Sequence, residues 1–264
     1  MQRICSVFYE KNFKKIEYKV VQMSALEEIT SYVNRLQVNA VFSISTFVRN
    51  GLTYYTARKA LDDLEKRGII HKLDKGRYYK TQQTMFGEIR PPVEQVIGDL
   101  LVDRHRQVVG YLTGTIAFNQ MGLTTQISSQ IQIGRKRYRK PIKRGEYSIA
   151  FIVQRNTITR QNIPLLQILD ALRFVREIPD TIPDETVEQL MFLIGKLSKE
   201  QQRQMINLAL LYTPYVRALL GAIMEKLGSG ELTKTLKKSL NDLTHYNLHL
   251  SEDVLPTKNN WNIR

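Results

Sequence analysis

The segment Thr53–Lys66, "TYYTARKALDDLEK", puts hydrogen-bond donors at the front of an amphipathic stretch. Thr53, Tyr55, Arg58 and Lys59 offer a hydroxyl, a phenol, a guanidinium and an ammonium on one side. Groups of these types, at the positive end of a helix dipole, suit phosphates and base edges. Ser45 stands one short element upstream, and Lys72, Lys75 and Arg77 follow in "HKLDKGRYYK". A second cationic block lies in "GRKRYRKPIKRG". Arg135, Lys136, Arg137, Arg139, Lys140, Lys143 and Arg144 carry seven positive charges with no carboxylate among them. So dense a block repels itself unless a counter-charge sits against it, and phosphate is the obvious one. A plainer reading competes at each place. Arg58 with Asp62, and Lys59 with Asp63, have the spacing of helix-surface ion pairs. The basic block has the composition of a solvated turn between strands, partly neutralised by acidic neighbours, and the sequence leaves open whether its counter-charge is DNA, RNA or an acidic protein.

No other chemistry has the same support. The four histidines are His71, His105, His245 and His249. His245 and His249 are four apart, but no Glu follows the first as in a zinc peptidase. Cys5 is the single cysteine, which excludes an intramolecular disulfide and a multi-cysteine zinc site. Gly114 and Gly122 fit neither the Walker pattern nor the dinucleotide fingerprint, and no Gly-x-Ser-x-Gly elbow appears. The expectation is a protein that is not an enzyme, with no catalytic residues, no metal and no cofactor. The chain of 264 residues has a formal net charge of +14, which favours polyanionic partners. Its first residues lack the apolar core of a secretory signal, and no run approaches the roughly 18 apolar residues of a membrane span. A cytoplasmic protein without a membrane partner is expected.

The elements that must position these groups follow from periodicity. Ser24 and Glu27 have capping-box spacing ahead of a helix from Ser24 to Gln37. A short extended piece over Ala40–Phe42 and a small helix around Ser45–Val48 precede the Asn50-Gly51 turn. Thr53 then caps a third helix with Ala57, Ala60, Leu61 and Leu64 as its buried stripe, joined by Tyr54. Gly68 ends it, and "IIHKL" and "RYYK" flank the turn "DKG" as a hairpin. Three helices and a hairpin give the order of a winged helix-turn-helix, whose third helix enters the major groove of DNA. The chain therefore divides into an extension over 1–23, a winged helix over 24–84, a mixed domain over 85–250 and a loose tail over 251–264. The class is α+β, with a small sheet and a helical C-terminal part after the winged helix. In the mixed part, helices are expected over Val93–Leu101 and Thr113–Met121, strands in "TQISSQIQI" and "YSIAFIVQ", and helices from Pro164 onward, the last over Leu232–Leu243. Gly221, inside a helix, predicts close approach of another backbone.

Two stretches carry a family resemblance. "GYLTGTIAFNQMGLTTQ", through Thr113, Gly114, Ala117, Asn119, Gly122 and Leu123 to Gln126, resembles the AbiEi-like antitoxins of bacterial type IV toxin–antitoxin and abortive-infection systems. "YTPYVRALLGAIME", through Pro214, Val216 to Gly221 and Ala222, supports it. The resemblance covers about Ser24 to Leu250. It implies a winged helix that binds inverted repeats in double-stranded DNA of its own promoter and represses it. It also implies a C-terminal domain that counteracts a nucleotidyltransferase toxin encoded beside it, with which it need not form a stable complex, as part of phage resistance. The rival is a winged-helix regulator with no toxin partner, whose C-terminal domain serves dimerisation or protein contacts. The sequence leaves the oligomeric state open.

Overall fold

The computed structural model describes residues 23–85 and 87–264, so the expected N-terminal extension lies, up to residue 22, outside the described residues. Helix α1 (Ala25–Arg35) opens with the anticipated capping box. Glu27 N–H donates to Ser24 Oγ at 3.2 Å, and Ser24 N–H donates to the Glu27 carboxylate at 2.8 Å. Strand β1 (Val41–Ser43), α2 (Ile44–Arg49) and α3 (Tyr54–Lys66) follow. Strands β2 (Ile70–Asp74) and β3 (Arg77–Lys80) form the hairpin. The three strands make an antiparallel sheet in the order β1-β3-β2. Gly76 takes a φ of +72° at the hairpin turn, where any side chain would be strained. Ile29, Val33, Phe47, Ala57, Leu61 and Leu64 fill the space between helices and sheet. Tyr32 meets Phe42 and Phe47 edge-on at 5.9 and 5.1 Å.

Two short strands, β4 (Gln83–Thr84) and β5 (Gly87–Glu88), lead to α4 (Val93–Leu101). Strand β6 (Gly110–Thr113) and α5 (Thr115–Gln120) follow, with Gly114 at φ +72° between them. Strands β7 (Gln130–Arg135), β8 (Ile142–Arg144) and β9 (Tyr147–Val153) complete a second sheet in the order β6-β7-β9-β8. Strand β9 runs parallel to β7 and antiparallel to β8. The fold is thus α+β, with a small antiparallel sheet and a mixed one.

The two sheets share a core. Leu73 and Tyr79 from the hairpin pack with Val96, Ile97 and Leu100 of α4 and with Ile131 and Ile149 of the second sheet. One carboxylate locks this joint. Arg77 of β3 donates both terminal nitrogens to Asp99 of α4. Arg144 of β8 donates to the same two oxygens at 2.6 and 2.9 Å, and to the Val96 carbonyl at 2.7 Å. Arg144 also lies 3.6 Å from Asp74. Burial alone would push the Asp99 carboxyl up, but the hydrogen bonds and charges of Arg77 and Arg144 outweigh it and hold the pKa at about 2.

Helices α6 (Ile163–Arg173), α7 (Pro183–Gly195), α8 (Lys199–Ala209) and α9 (Pro214–Lys226) form the C-terminal part, with a 3-10 turn over Gly230–Thr233 and α10 (Lys234–Lys238). The last helix stops well short of the expected Leu243. His245 and His249 lie beyond it outside any helix, and His249 has a φ of +55°. The tail is not loose. Leu255, Trp261 and Ile263 are buried in the main helical core, and the C-terminal residues pair with Tyr246 and Leu248. Gly221 accordingly approaches a side chain rather than a backbone. A Cβ there would fall 2.2 Å from the Trp261 ring. The indole N–H donates to Glu225 at 2.7 Å, which fixes the ring. Position 221 needs glycine because the tail must close over α9.

Two stability changes follow. Trp261→Ala removes a buried anchor and should cost about 3–5 kcal/mol, and Gly221→Ala, which forces a fixed ring aside, about 1–3 kcal/mol; urea unfolding measures both. The Asp99 pKa is lower folded than unfolded, so its contribution is present above about pH 4 and is lost as pH falls towards 2. After allowance for screening of a side chain 38% exposed, that loss should be on the order of 1 kcal/mol. Urea midpoints at pH 5 and pH 3 should show it, and Asp99→Asn should remove it.

Candidate nucleic-acid interface

Helix α3 separates its two jobs cleanly. Ala57, Ala60, Leu61 and Leu64 are buried against α1 and the sheet, so the outer face is free to present Tyr55, Arg58, Lys59 and Asp62 at i, i+3, i+4 and i+7. Tyr55 is 77% exposed, and Arg58 and Lys59 are exposed with it. Arg58 comes within 3.8 Å of Asp62, a separation at the outer limit of an ion pair between two half-exposed groups, and worth little. Thr53 is used locally. Its Oγ1 accepts from Thr56 N–H at 3.2 Å and lies 2.7 Å from the Thr56 hydroxyl. Ser45 is exposed at the front of α2, its hydroxyl 2.9 Å from that of Ser43.

Tyr54 corrects the stripe drawn from sequence. Its spacing from Ala57 and Leu61 matches the buried face, yet it is 50% exposed. It sits in the first turn, where the stripe runs past the edge of a small core. Tyr54 therefore adds a second phenol beside Tyr55 on the accessible end of the helix.

The hairpin contributes less than expected. Lys75 is exposed at the turn, and its N–H donates to Asp74 at 2.6 Å. Lys72 is exposed but lines the cleft between hairpin and second sheet, which Glu146 and Arg90 also line. Arg77 is not a backbone clamp, because both of its terminal nitrogens are committed to Asp99.

The basic block is not a hairpin. Strands β7 and β8 are not neighbours, so residues 136–141 cross β9 to reach the sheet edge. Phe151 of β9 carries this crossing. The guanidinium of Arg135 lies 5.6 Å from its ring centroid, and that of Arg139 lies 5.1 Å away. Lys136 donates to the Arg155 carbonyl at 2.6 Å. Arg137, Lys140 and Lys143 are exposed and free of ion pairs among the described residues. Arg144 leaves the set. It is 3% exposed and serves the Asp99 lock, where Asp74 and Asp99 supply the counter-charge.

Sequence reasoning passed over a buried polar centre. Asp170 of α6 is buried and accepts from Tyr111 at 2.7 Å, Thr113 at 2.8 Å and Tyr212 at 2.8 Å. Gln154 donates to both phenol oxygens at 2.8 Å. Burial pushes the Asp170 carboxyl up, while the three hydroxyl donors and the Arg173 charge oppose that shift. An Asp inside the apolar run "LLQILDALRFV" was the available signal. Among the described residues no group of histidines, cysteines and carboxylates could hold a metal ion. No described helix is long and apolar enough to cross a membrane.

Comparison with known proteins gives a family and a distant structural likeness. The model of a family of unknown function (DUF6088) matches residues 28–204. No curated protein matches the chain. Among solved structures, the RV2827C protein from Mycobacterium tuberculosis is similar with a TM-score of 0.47 and 12% identity, over 85% of this chain and 84% of that one.

The two hairpin cations should part company under mutation. Lys75→Gln should leave the thermal midpoint unchanged. Arg77→Gln strips Asp99 of half its donors and should lower stability by about 1–3 kcal/mol, measured by differential scanning calorimetry.

Proposed function

This chain belongs to the DUF6088 family, and for it we propose a DNA-binding antitoxin that represses its own operon and acts by binding rather than catalysis. One observation carries the DNA reading: the buried stripe of α3 leaves a cation- and phenol-bearing face wholly outward, at the positive end of the helix. Thr53, Tyr54, Tyr55, Arg58 and Lys59 form the reading edge, and Lys75 meets the neighbouring phosphate backbone. The net charge of +14 supports a polyanionic partner. The antitoxin reading rests on the likeness of Gly110–Gln126 and Tyr212–Glu225 to AbiEi-like antitoxins. In that reading the partner is double-stranded DNA at inverted repeats in the promoter, and the opponent is a nucleotidyltransferase toxin encoded beside it, in the bacterial cytoplasm.

The residues of that likeness hold the second half of the molecule together. Thr113 donates to Asp170, Asn119 donates to the Thr124 carbonyl at 3.0 Å, and Thr124 donates to the Pro179 carbonyl at 2.7 Å. Gly114 has a φ of +72°, and a Cβ there would meet the Gln132 side chain at 2.0 Å, so a substitution strains the turn. They identify a scaffold, and the groups that face outward from it carry the activity.

Gel shifts on the DNA upstream of its gene test the first half. Arg58→Ala with Lys59→Ala should weaken binding about tenfold or more while leaving the thermal midpoint in place. Lys75→Gln should lower the salt slope by about one. An unaffected double variant would remove α3 as the reader. Co-expression with the adjacent gene tests the second half, with rescue of growth as the expected result.

A further inference from the structure

Three arginines from separate elements converge on one cavity beside the basic crossing. Arg155 follows β9, Arg173 ends α6 and Arg217 lies in the first turns of α9; together they line a cavity of about 480 Å³. Gln154 and Tyr212 contribute its polar floor, and Leu210, Leu211 and Pro214 an apolar side. No carboxylate lines it. None of the three arginines forms an ion pair among the described residues. Asp170, which the Arg173 charge reaches, is buried and already takes three hydroxyl donors. Arg217 spends one terminal nitrogen on the Ser239 carbonyl at 2.8 Å, which anchors the side chain, while its Nε is buried without a partner. Three arginines on one lining with no carboxylate among them leave the charge balance of the cavity for an anion to complete.

We infer that this cavity binds a phosphate monoester on a nucleotide-sized body. Guanidinium forks match phosphate oxygens in pairs. The volume suits one nucleotide unit, whose sugar or base would lie against Leu210, Leu211 and Pro214. The site is reached from the basic crossing: Lys136 holds the Arg155 carbonyl, and Gln154 N–H donates to the Arg135 carbonyl at 2.8 Å. The shared chemistry has two sources, a free mononucleotide or the 5′-phosphate end of a strand lying along the crossing. The inference is independent of DNA reading by α3.

Isothermal titration of the full chain at low salt tests it, with AMP, adenosine, and short single strands ending in 5′-phosphate or 5′-hydroxyl as probes. AMP should bind and adenosine should not. Arg155→Ala, at an exposed side chain, should weaken AMP at least tenfold, and Arg173→Gln should do the same. Arg58→Ala with Lys59→Ala should leave the AMP affinity unchanged. A phosphorylated strand that binds tighter than both AMP and its hydroxyl counterpart assigns the site to a strand end; equal or weaker binding than AMP assigns it to the free nucleotide. Adenosine binding as well as AMP, no binding of AMP or the phosphorylated strand at millimolar concentration, or AMP affinity unchanged in both arginine variants would each overturn the inference.

Discussion

Asp99 is the point on which the arrangement of the two sheets depends. A single carboxylate takes four hydrogen bonds from two guanidiniums, one on each sheet. Partial burial opposes the carboxylate charge. With both arginines, the hydrogen bonds prevail. The apolar joint around Leu73, Val96, Ile97 and Ile131 supplies adhesion without direction. The paired forks supply direction, because a bidentate contact tolerates little rotation. The hairpin is thereby fixed to α4 and to the edge of the second sheet.

A second buried carboxylate organises the C-terminal half by another means. Asp170 has no cation in contact; three hydroxyls surround it, from two strand residues and from the residue before the cap of α9. Gln154 then ties the two phenols together. The donors come from β6, from the residue after β9 and from the loop before α9, so the network forms only when these and α6 have all arrived. Gly134 makes room for the Tyr111 ring, which a Cβ would meet at 2.4 Å. Gly221 does the same for Trp261. Small residues at these two places mark close packing of aromatics, which is why substitution tolerance there should be poor.

Local signals made the N-terminal part legible. Capping spacing, a turn at Asn50-Gly51, an apolar stripe and a hairpin are all contained within short windows, and α1, α3 and α4 fall where periodicity put them. What failed was non-local. Tyr54 kept the period of the stripe, but the core ended before reaching it. Arg77 and Arg144 looked like surface cations because their partner, Asp99, is 22 residues from one and 45 from the other. The basic block read as a connection between two strands, and nothing local in it showed that it crosses β9 to reach the sheet edge. The tail read as loose because it is polar and short, while its three buried residues, Leu255, Trp261 and Ile263, are spread along it.

The fate of the cations shows how net charge and function are related here. Of the fifteen polar side chains that sequence spacing grouped for phosphate contact, Arg77 and Arg144 are spent inside the fold and Lys72 lines the joint. Those that remain fall into two sets. One is the outer face of α3 with Lys75, borne on a compact unit with its own core. The other is the crossing over β9, continued by Arg155, Arg173 and Arg217 around a cavity. The first lies on an exposed helix face and the second beside a cavity. If both bind as proposed, the excess of positive charge serves two ligands rather than one extended footprint.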